Sequence, residues 1–188
     1  MTSSIKLKRD QSQERLTEMY DEEDLYWYLR SQSFCDLFLD PMGKLISELG
    51  NSCLDVGCGE GQLSQFVDCD YYGIDASESA IKAAKKWFPL RDFEVARLEE
   101  YEHSRLADVV VFGGILQVLV ERESHVSLLE KYIESCDANY VIVFDLQRFD
   151  SSHLQNRFNL VRGWYARANI EGELQEVKRN RKVEVYKI

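Results

Sequence analysis

With 188 residues, 45% of them apolar, the chain has enough material for one buried core without disulfide or metal staples. Its net charge of −10 disfavours nucleic acid backbones, and no apolar run has the length of a signal peptide or a membrane span, so a soluble, cytoplasmic, single-domain protein with no membrane partner is expected. Five scattered cysteines (Cys35, Cys53, Cys58, Cys69, Cys136) and three distant histidines (His103, His125, His153) predict reduced thiols and no metal site.

Taken in order, Met1 to Leu16 is polar, and the aromatic-rich stretch Tyr20 to Arg30 places Leu25, Tyr28 and Leu29 at helical packing positions. After Pro41, a good first-turn residue, Met42, Leu45, Ile46 and Leu49 follow helical spacing, and Gly50 is placed to stop the helix. Cys53–Val56, Tyr71–Ile74, Phe93–Val95, Asp108–Phe112 and Tyr140–Phe144 read as five strands, several of them unbroken apolar runs of the kind buried on both faces. Between them, Leu63, Phe66 and Val67 give a short helical pattern. Ser77 caps a helix running to Phe88, which Pro89 ends, and Val126, Leu129 and Ile133 mark another. Trp164–Ile170 and Lys182–Ile188 read as a closing antiparallel pair, with the basic run Lys178 to Lys182 as a solvated turn between them. Alternating strands and helices predict an α/β fold: a doubly wound, mostly parallel seven-stranded sheet with helices on both faces and an antiparallel C-terminal edge hairpin.

The first strand ends in Leu54-Asp55-Val56 and enters Gly57-Cys58-Gly59-Glu60-Gly61, spacing that permits a tight turn and lets backbone N–H groups approach a ligand at a helix N-terminus. Twenty residues after Asp55, the second strand ends at Asp75, where a carboxylate can accept both hydroxyls of a ribose. A dinucleotide fingerprint would place Gly or Ala next along, where Gln62 stands, so an NAD-dependent oxidoreductase is the weaker alternative.

Leu54 to Gly61 resembles motif I of the class I S-adenosylmethionine (SAM)-dependent methyltransferases, and the resemblance extends over about Leu45 to Asp145. It implies SAM as cofactor and methyl transfer to a small-molecule acceptor, on O or N. Gly57, Cys58, Gly59 and Gly61 would surround its methionine part, Asp55 would help hold its amino group, and Asp75, followed by Ala76, would bind the ribose. Adenine would lie against Arg97 and the backbone of Leu98, in place of the Asp common in the family. Asp108 to Leu119 resembles motif IV, which adds Gly113 to the cofactor set, and the His that many relatives carry there is Val118 here. In similar small methyltransferases an N-terminal helix closes over SAM, which makes Tyr20 and Arg30 candidates, unless that stretch is simply packed. The domain then divides into a cap (1–40), a SAM-binding core (41–146) and a substrate-side segment with hairpin (147–188).

No catalytic base stands out; Tyr20, His125, Asp145 and His153 are the candidates. From Gln147 onward nine basic residues face five acidic ones, +4 against −14 for the rest, which predicts an acceptor with an anionic or sugar-type group held by Arg148, Arg157 and Arg162. No nucleic acid partner is expected, and a monomer or homodimer fits. A non-catalytic partner subunit of the same fold is the remaining alternative.

Overall fold

The computed structural model describes residues 34–98, 105–116, 122–146, 150–170 and 177–188, with side chains assigned for all of these except 122–125, 145–146, 165–170 and 177–181. A π-helical turn, Cys35–Leu39, runs straight into helix α1, Asp40–Leu49: the Asp40 N–H donates to the Cys35 carbonyl across the junction, and Pro41, which has no N–H to donate, follows it. Gly50 ends α1 as expected, but through close approach and not left-handed geometry. Its φ is −169°, and a Cβ there would lie 2.3 Å from Asp108 Cβ. The Asp108 carboxylate exploits that contact, accepting from the N–H of Asn51 (2.7 Å) and Ser52 (3.2 Å) and from the Ser52 hydroxyl (3.1 Å).

Seven strands follow among the described residues: β1 (Ser52–Val56), β2 (Asp70–Asp75), β3 (Asp92–Val95), β4 (Val109–Gly113), β5 (Tyr140–Leu146), β6 (Asn159–Ile170) and β7 (Val177–Lys187). They form one sheet in the order 3-2-1-4-5-7-6. The first five are parallel, and β7 lies antiparallel between β5 and β6. Alternation along the strands divides the core in two. Val109, Val111, Ile142, Val183 and Val185 pack with α1, the turn before it and helix α2 (Glu78–Trp87). Leu54, Val110, Phe112, Val143 and Tyr186 pack with helix α3 (Arg122–Cys136) and the short α4 (Ser152–Gln155). Helices on both faces make the sheet doubly wound, as the sequence predicts.

Ser77 caps α2, its hydroxyl accepting from the Ala80 N–H at 3.2 Å. The helical pattern after the glycine loop, by contrast, yields only a 3₁₀ turn, Gln62–Gln65. Two neighbours hold that stretch out of helix. Phe66 lies so close to Gly43 of α1 that a Cβ there would be 2.3 Å from the Phe66 carbonyl oxygen, and the Arg91 guanidinium donates to the carbonyls of Val67 and Cys69.

The C-terminal pair is longer than expected, and the run Lys178 to Lys182 is strand, not a solvated turn. Its cross-strand partners run from Tyr165 opposite Lys182 to Asn169 opposite Lys178. The chain before this pair is pinned by Leu154, fully buried against α3. Leu154→Ala should cost about 2–5 kcal/mol of stability, as for other buried leucines, read as a lower urea midpoint. An unchanged midpoint would mean that α4 does not pack on the sheet.

Candidate functional site

The tips of β1 and β2 are tied together by the loop between β1 and the 3₁₀ turn. The carbonyl of Ile74 accepts from the N–H of both Gly57 (2.8 Å) and Cys58 (3.0 Å), and Gly61 N–H donates to the Cys58 carbonyl (2.9 Å). Asp75, next in sequence, receives Gly59 N–H at 2.9 Å on one carboxylate oxygen and Ser77 N–H at 2.9 Å on the other. Three glycines make this path possible: Gly57, Gly59 and Gly61 have φ of 78°, 55° and 78°. Gly61 also faces the core, since a Cβ there would meet the Phe93 ring at 2.6 Å.

These bonds correct one expectation. The N–H groups of Gly57, Cys58, Gly59 and Gly61 are all used within the protein, and the chain continues into a single 3₁₀ turn instead of a helix N-terminus. The loop therefore does not present the row of amide donors that a pyrophosphate requires.

What it presents is acidic. Asp55, on β1, is 3% exposed, and its Oδ2 accepts from the Tyr71 hydroxyl at 2.6 Å. Burial, opposed by that hydrogen bond and aided by the nearby Asp75 charge, pushes its carboxyl from the ordinary 3.8 up to about 7. Its Oδ1 looks toward Gly113 at the tip of β4. Among the described residues, a Cβ on Gly113 would have only Gly57 O at 3.7 Å and Asp55 Oδ1 at 4.0 Å for near neighbours, so the missing side chain leaves a cradle between the two tips. Cys58 points elsewhere, its Sγ 2.9 Å from where a Gly73 Cβ would be, and burial holds its thiol well above the ordinary value.

Asp55, Gly57, Cys58, Gly59, Gly61, Asp75, Ala76 and Gly113 are thus gathered where β1, β2 and β4 end. Arg97 is exposed, and the Leu98 carbonyl is turned toward α3, receiving Tyr132 Oη at 3.3 Å and Lys131 Nζ at 3.4 Å. Tyr20, Arg30 and Arg148 lie outside the described residues. Asp145 is next to last in β5, in register with Lys182 of β7. His125 lies in the first turn of α3 and His153, half-buried, in α4.

Two substrate candidates need correction. Arg157 gives its guanidinium to Glu130 of α3, with Nε and Nη2 at 2.7 and 2.6 Å from Oε1. It precedes Asn159, which lies in register with Lys187 and so with Tyr140, the first residue of β5, at the opposite end of the sheet from the loop. Arg162 is exposed on the outermost strand, mid-sheet. The charge excess of the C-terminal region made both candidates for the acceptor; the start of β6 at the far end of the sheet keeps Arg157 away from the loop, and Arg162 reaches only mid-sheet. Tyr71 is the residue that sequence reasoning missed. It shares a face with Gly73, whose partner across the strands is Asp55, so only the strand register brings its hydroxyl to Asp55.

Because the carboxyl of Asp55 is raised in the folded state, the stability it contributes is complete below the ordinary carboxyl value. That stability is lost as pH rises to about 7. Asp55→Asn keeps an acceptor for Tyr71 and carries no charge. It should be more stable than the native protein by about 2–4 kcal/mol at pH 8 and by little at pH 4.5, measured from denaturant midpoints. An equal effect at both pH values would show that Asp55 does not titrate in this range.

Similarity to known proteins follows the same outline. A family profile described as "Methyltransferase domain" matches residues 47–182. A relative from Invertebrate iridescent virus 6, named "Putative methyltransferase 235L", is 25% identical over 128 residues, 65% of this chain and 46% of its own length. The chain thus spans about half the length of that relative. Among solved structures, the N-methyltransferase NodS from Bradyrhizobium japonicum WM9, in complex with S-adenosyl-l-homocysteine (SAH), superposes with a TM-score of 0.72 at 12% identity, over 93% of this chain and 97% of its own. Magnesium protoporphyrin IX methyltransferase from Synechocystis PCC 6803, with bound SAM, gives 0.63 at 13% identity over 100% of both chains. At such identities the likeness is one of fold. Among the described residues no helix is long and apolar enough to cross a membrane.

Proposed function

The chain belongs to the methyltransferase domain family, and from that premise we propose that it transfers a methyl group from SAM to a small-molecule acceptor. The observation that carries this reading is the inversion at the loop: its amides are used internally, while Asp55 and Asp75 supply the charge at the tips of β1 and β2. A pyrophosphate would meet two carboxylates there, so the NAD-dependent alternative loses its anchor. A ligand with an ammonium and a sulfonium would be attracted.

The residues fit that cofactor. The cradle at Gly113 gives room between the tips of β1 and β4, Asp55 can face an ammonium, and Asp75 can accept ribose hydroxyls, since an ionised carboxylate has about four acceptor sites. When bound, SAM supplies a methyl on positively charged sulfur; an acceptor lone pair takes the carbon while the C–S pair returns to sulfur. Orientation provides much of the rate in such an in-line displacement. A rigid sheet edge held by Ile74 and Asp75 serves that purpose.

The small-molecule reading has two supports. The described residues are nearly all sheet and flanking helix, and a net charge of −10 opposes polyanions. The structural neighbour named for magnesium protoporphyrin IX shows by its name that such a sheet can serve a non-polymeric acceptor. Asp145, next to last in β5 and so toward the same end of the sheet as the loop, is a candidate base if the acceptor is an alcohol that must lose a proton.

Calorimetry with SAH and with NAD⁺ tests the reading. SAH should bind and NAD⁺ should not. Because Asp55 must be ionised to face the ammonium, SAH affinity should fall as pH drops below about 7, approaching tenfold per pH unit. Asp55→Asn should bind weakly at every pH, and Asp75→Ala should lose about 1–3 kcal/mol. Absence of SAH binding, with NAD⁺ bound instead, would overturn the proposal.

A further inference from the structure

The end of the sheet opposite the glycine loop carries an exposed apolar tip. Helix α2 ends in Lys85-Lys86-Trp87, and the chain turns through Phe88-Pro89-Leu90-Arg91 into β3. Leu90 is 97% exposed and Trp87 55%, although both are large apolar side chains. The turn that presents them is rigid. Arg91 N–H donates to the Phe88 carbonyl at 3.0 Å, the Arg91 guanidinium donates to the carbonyls of Val67 and Cys69, and Phe88 packs against the core. Pro89 fixes one backbone angle of the tip. A third apolar side chain, Leu106, is 73% exposed. It follows Arg105, whose guanidinium reaches Asp92, two residues beyond Leu90.

Charge divides on either side of this apolar centre. On one side, α2 buries Ala80, Ile81 and Ala84 and leaves Lys82, Lys85 and Lys86 exposed, at the i, i+3 and i+4 spacing of a single face. No acid among the described residues pairs with any of the three, and Lys86 lies over the Trp87 ring, 5.4 Å from its centroid. On the other side, Tyr71 and Phe93 enter the core with α2, so alternation brings Asp70, Asp92 and Glu94 out on the opposite face of β2 and β3. There Arg105 lies over the Tyr72 ring, 4.5 Å from its centroid, and balances one of the three acids.

Single exposed apolar residues are ordinary, whereas an apolar centre rimmed by charge marks a contact with another protein. We propose that this patch docks a second copy of the chain about a two-fold axis. Trp87, Leu90 and Leu106 meet their counterparts, while the lysines of α2 in each copy face Asp70, Asp92 and Glu94 of the other. A two-fold contact requires a surface complementary to itself. A basic face and an acidic face on opposite sides of one apolar centre meet that requirement, because the rotation exchanges them. A partner surface of one sign would match only half of the patch. An aromatic and two leucines at the centre with charge at the rim is the distribution that protein contacts favour, and the rigid turn needs little ordering on association. The loop after β1 stays open in both copies, since β3 starts at Asp92 and reaches the level of Asp75 only at Val95. Neither SAM nor an acceptor takes part in this contact.

The test is the mass of the full chain in solution, measured by light scattering at about 50 µM, a concentration suited to a contact of modest size. The native protein should have twice the mass of one chain. Leu90→Asp should raise the dimer dissociation constant by about tenfold or more, with an unchanged circular dichroism spectrum. Lys85→Glu combined with Lys86→Glu should give a monomer, and so should Asp70→Lys combined with Asp92→Lys, since each set opposes like charges at both contacts of the two-fold pair. An equimolar mixture of those two variants should recover the dimer, because reversing both sides restores the pairing. Leu90→Asp keeps the result readable if a charge variant fails to fold. A native protein that is monomeric at this concentration, a dimer that survives Leu90→Asp, or a mixture of folded charge variants that stays monomeric would overturn the assignment. So would a native monomer that sediments with phosphatidylcholine vesicles containing phosphatidylglycerol, which would indicate a lipid surface.

Discussion

Two consecutive acceptors at the end of β2 organise the site: the carbonyl of Ile74 and the carboxylate of Asp75. Between them they take the N–H groups of Gly57, Cys58, Gly59 and Ser77. One short stretch therefore fixes the turn after β1, the tip of β2 and the entry to α2 at once. Each of those amides would otherwise need another partner, and an unmade buried bond costs on the order of 1–3 kcal/mol. The glycine loop is rigid because it is bonded inward, and that inward bonding leaves the surface above it to the carboxylates.

The acidity of this surface is bought at the expense of stability. Asp55 is buried with a single described hydroxyl partner, and its carboxyl is pushed to about 7, so the fold holds a charge it would more readily hold as a neutral acid. On the function proposed above, the ammonium of the ligand would relieve that conflict. At the other end of the sheet a similar burial is handled differently. Glu184, 7% exposed, is met by Ser151 Oγ at 2.8 Å, Gln155 Nε2 at 2.9 Å and Lys182 Nζ at 3.1 Å, so its charge is matched within the protein.

The strands of the core were legible because both of their faces are buried: runs such as Val109 to Phe112 carry apolar residues that the two core clusters divide between them. The turn at Gly57 to Gly61 was legible because φ near 78° demands glycine. Glycine spacing does not, however, reveal where an N–H points, and the inward bonding of the loop could not be read from it. Tyr71 stayed hidden for a related reason. Its partner is 16 residues away, and a tyrosine in a strand reads as ordinary packing until the register is known. The run Lys178 to Lys182 looked like a solvated turn because consecutive charges rarely fit a paired strand. The pairing of β7 with β5 ends at Leu146 and Arg181, so most of the run pairs with β6 alone.

The position of β7 between β5 and β6 has a consequence for how the molecule is made. β6 precedes β7 in the chain but touches the sheet only through it. While the polypeptide emerges from the ribosome, β1 to β5 can assemble in order, but β6 must wait as an unpaired strand until β7 has followed it out. During that interval the edge of β5 is open, with its row of backbone donors and acceptors exposed to any passing strand. The hairpin contacts of β6 and β7 are local and form quickly, so the ribbon can dock as a finished unit and close that edge in one step.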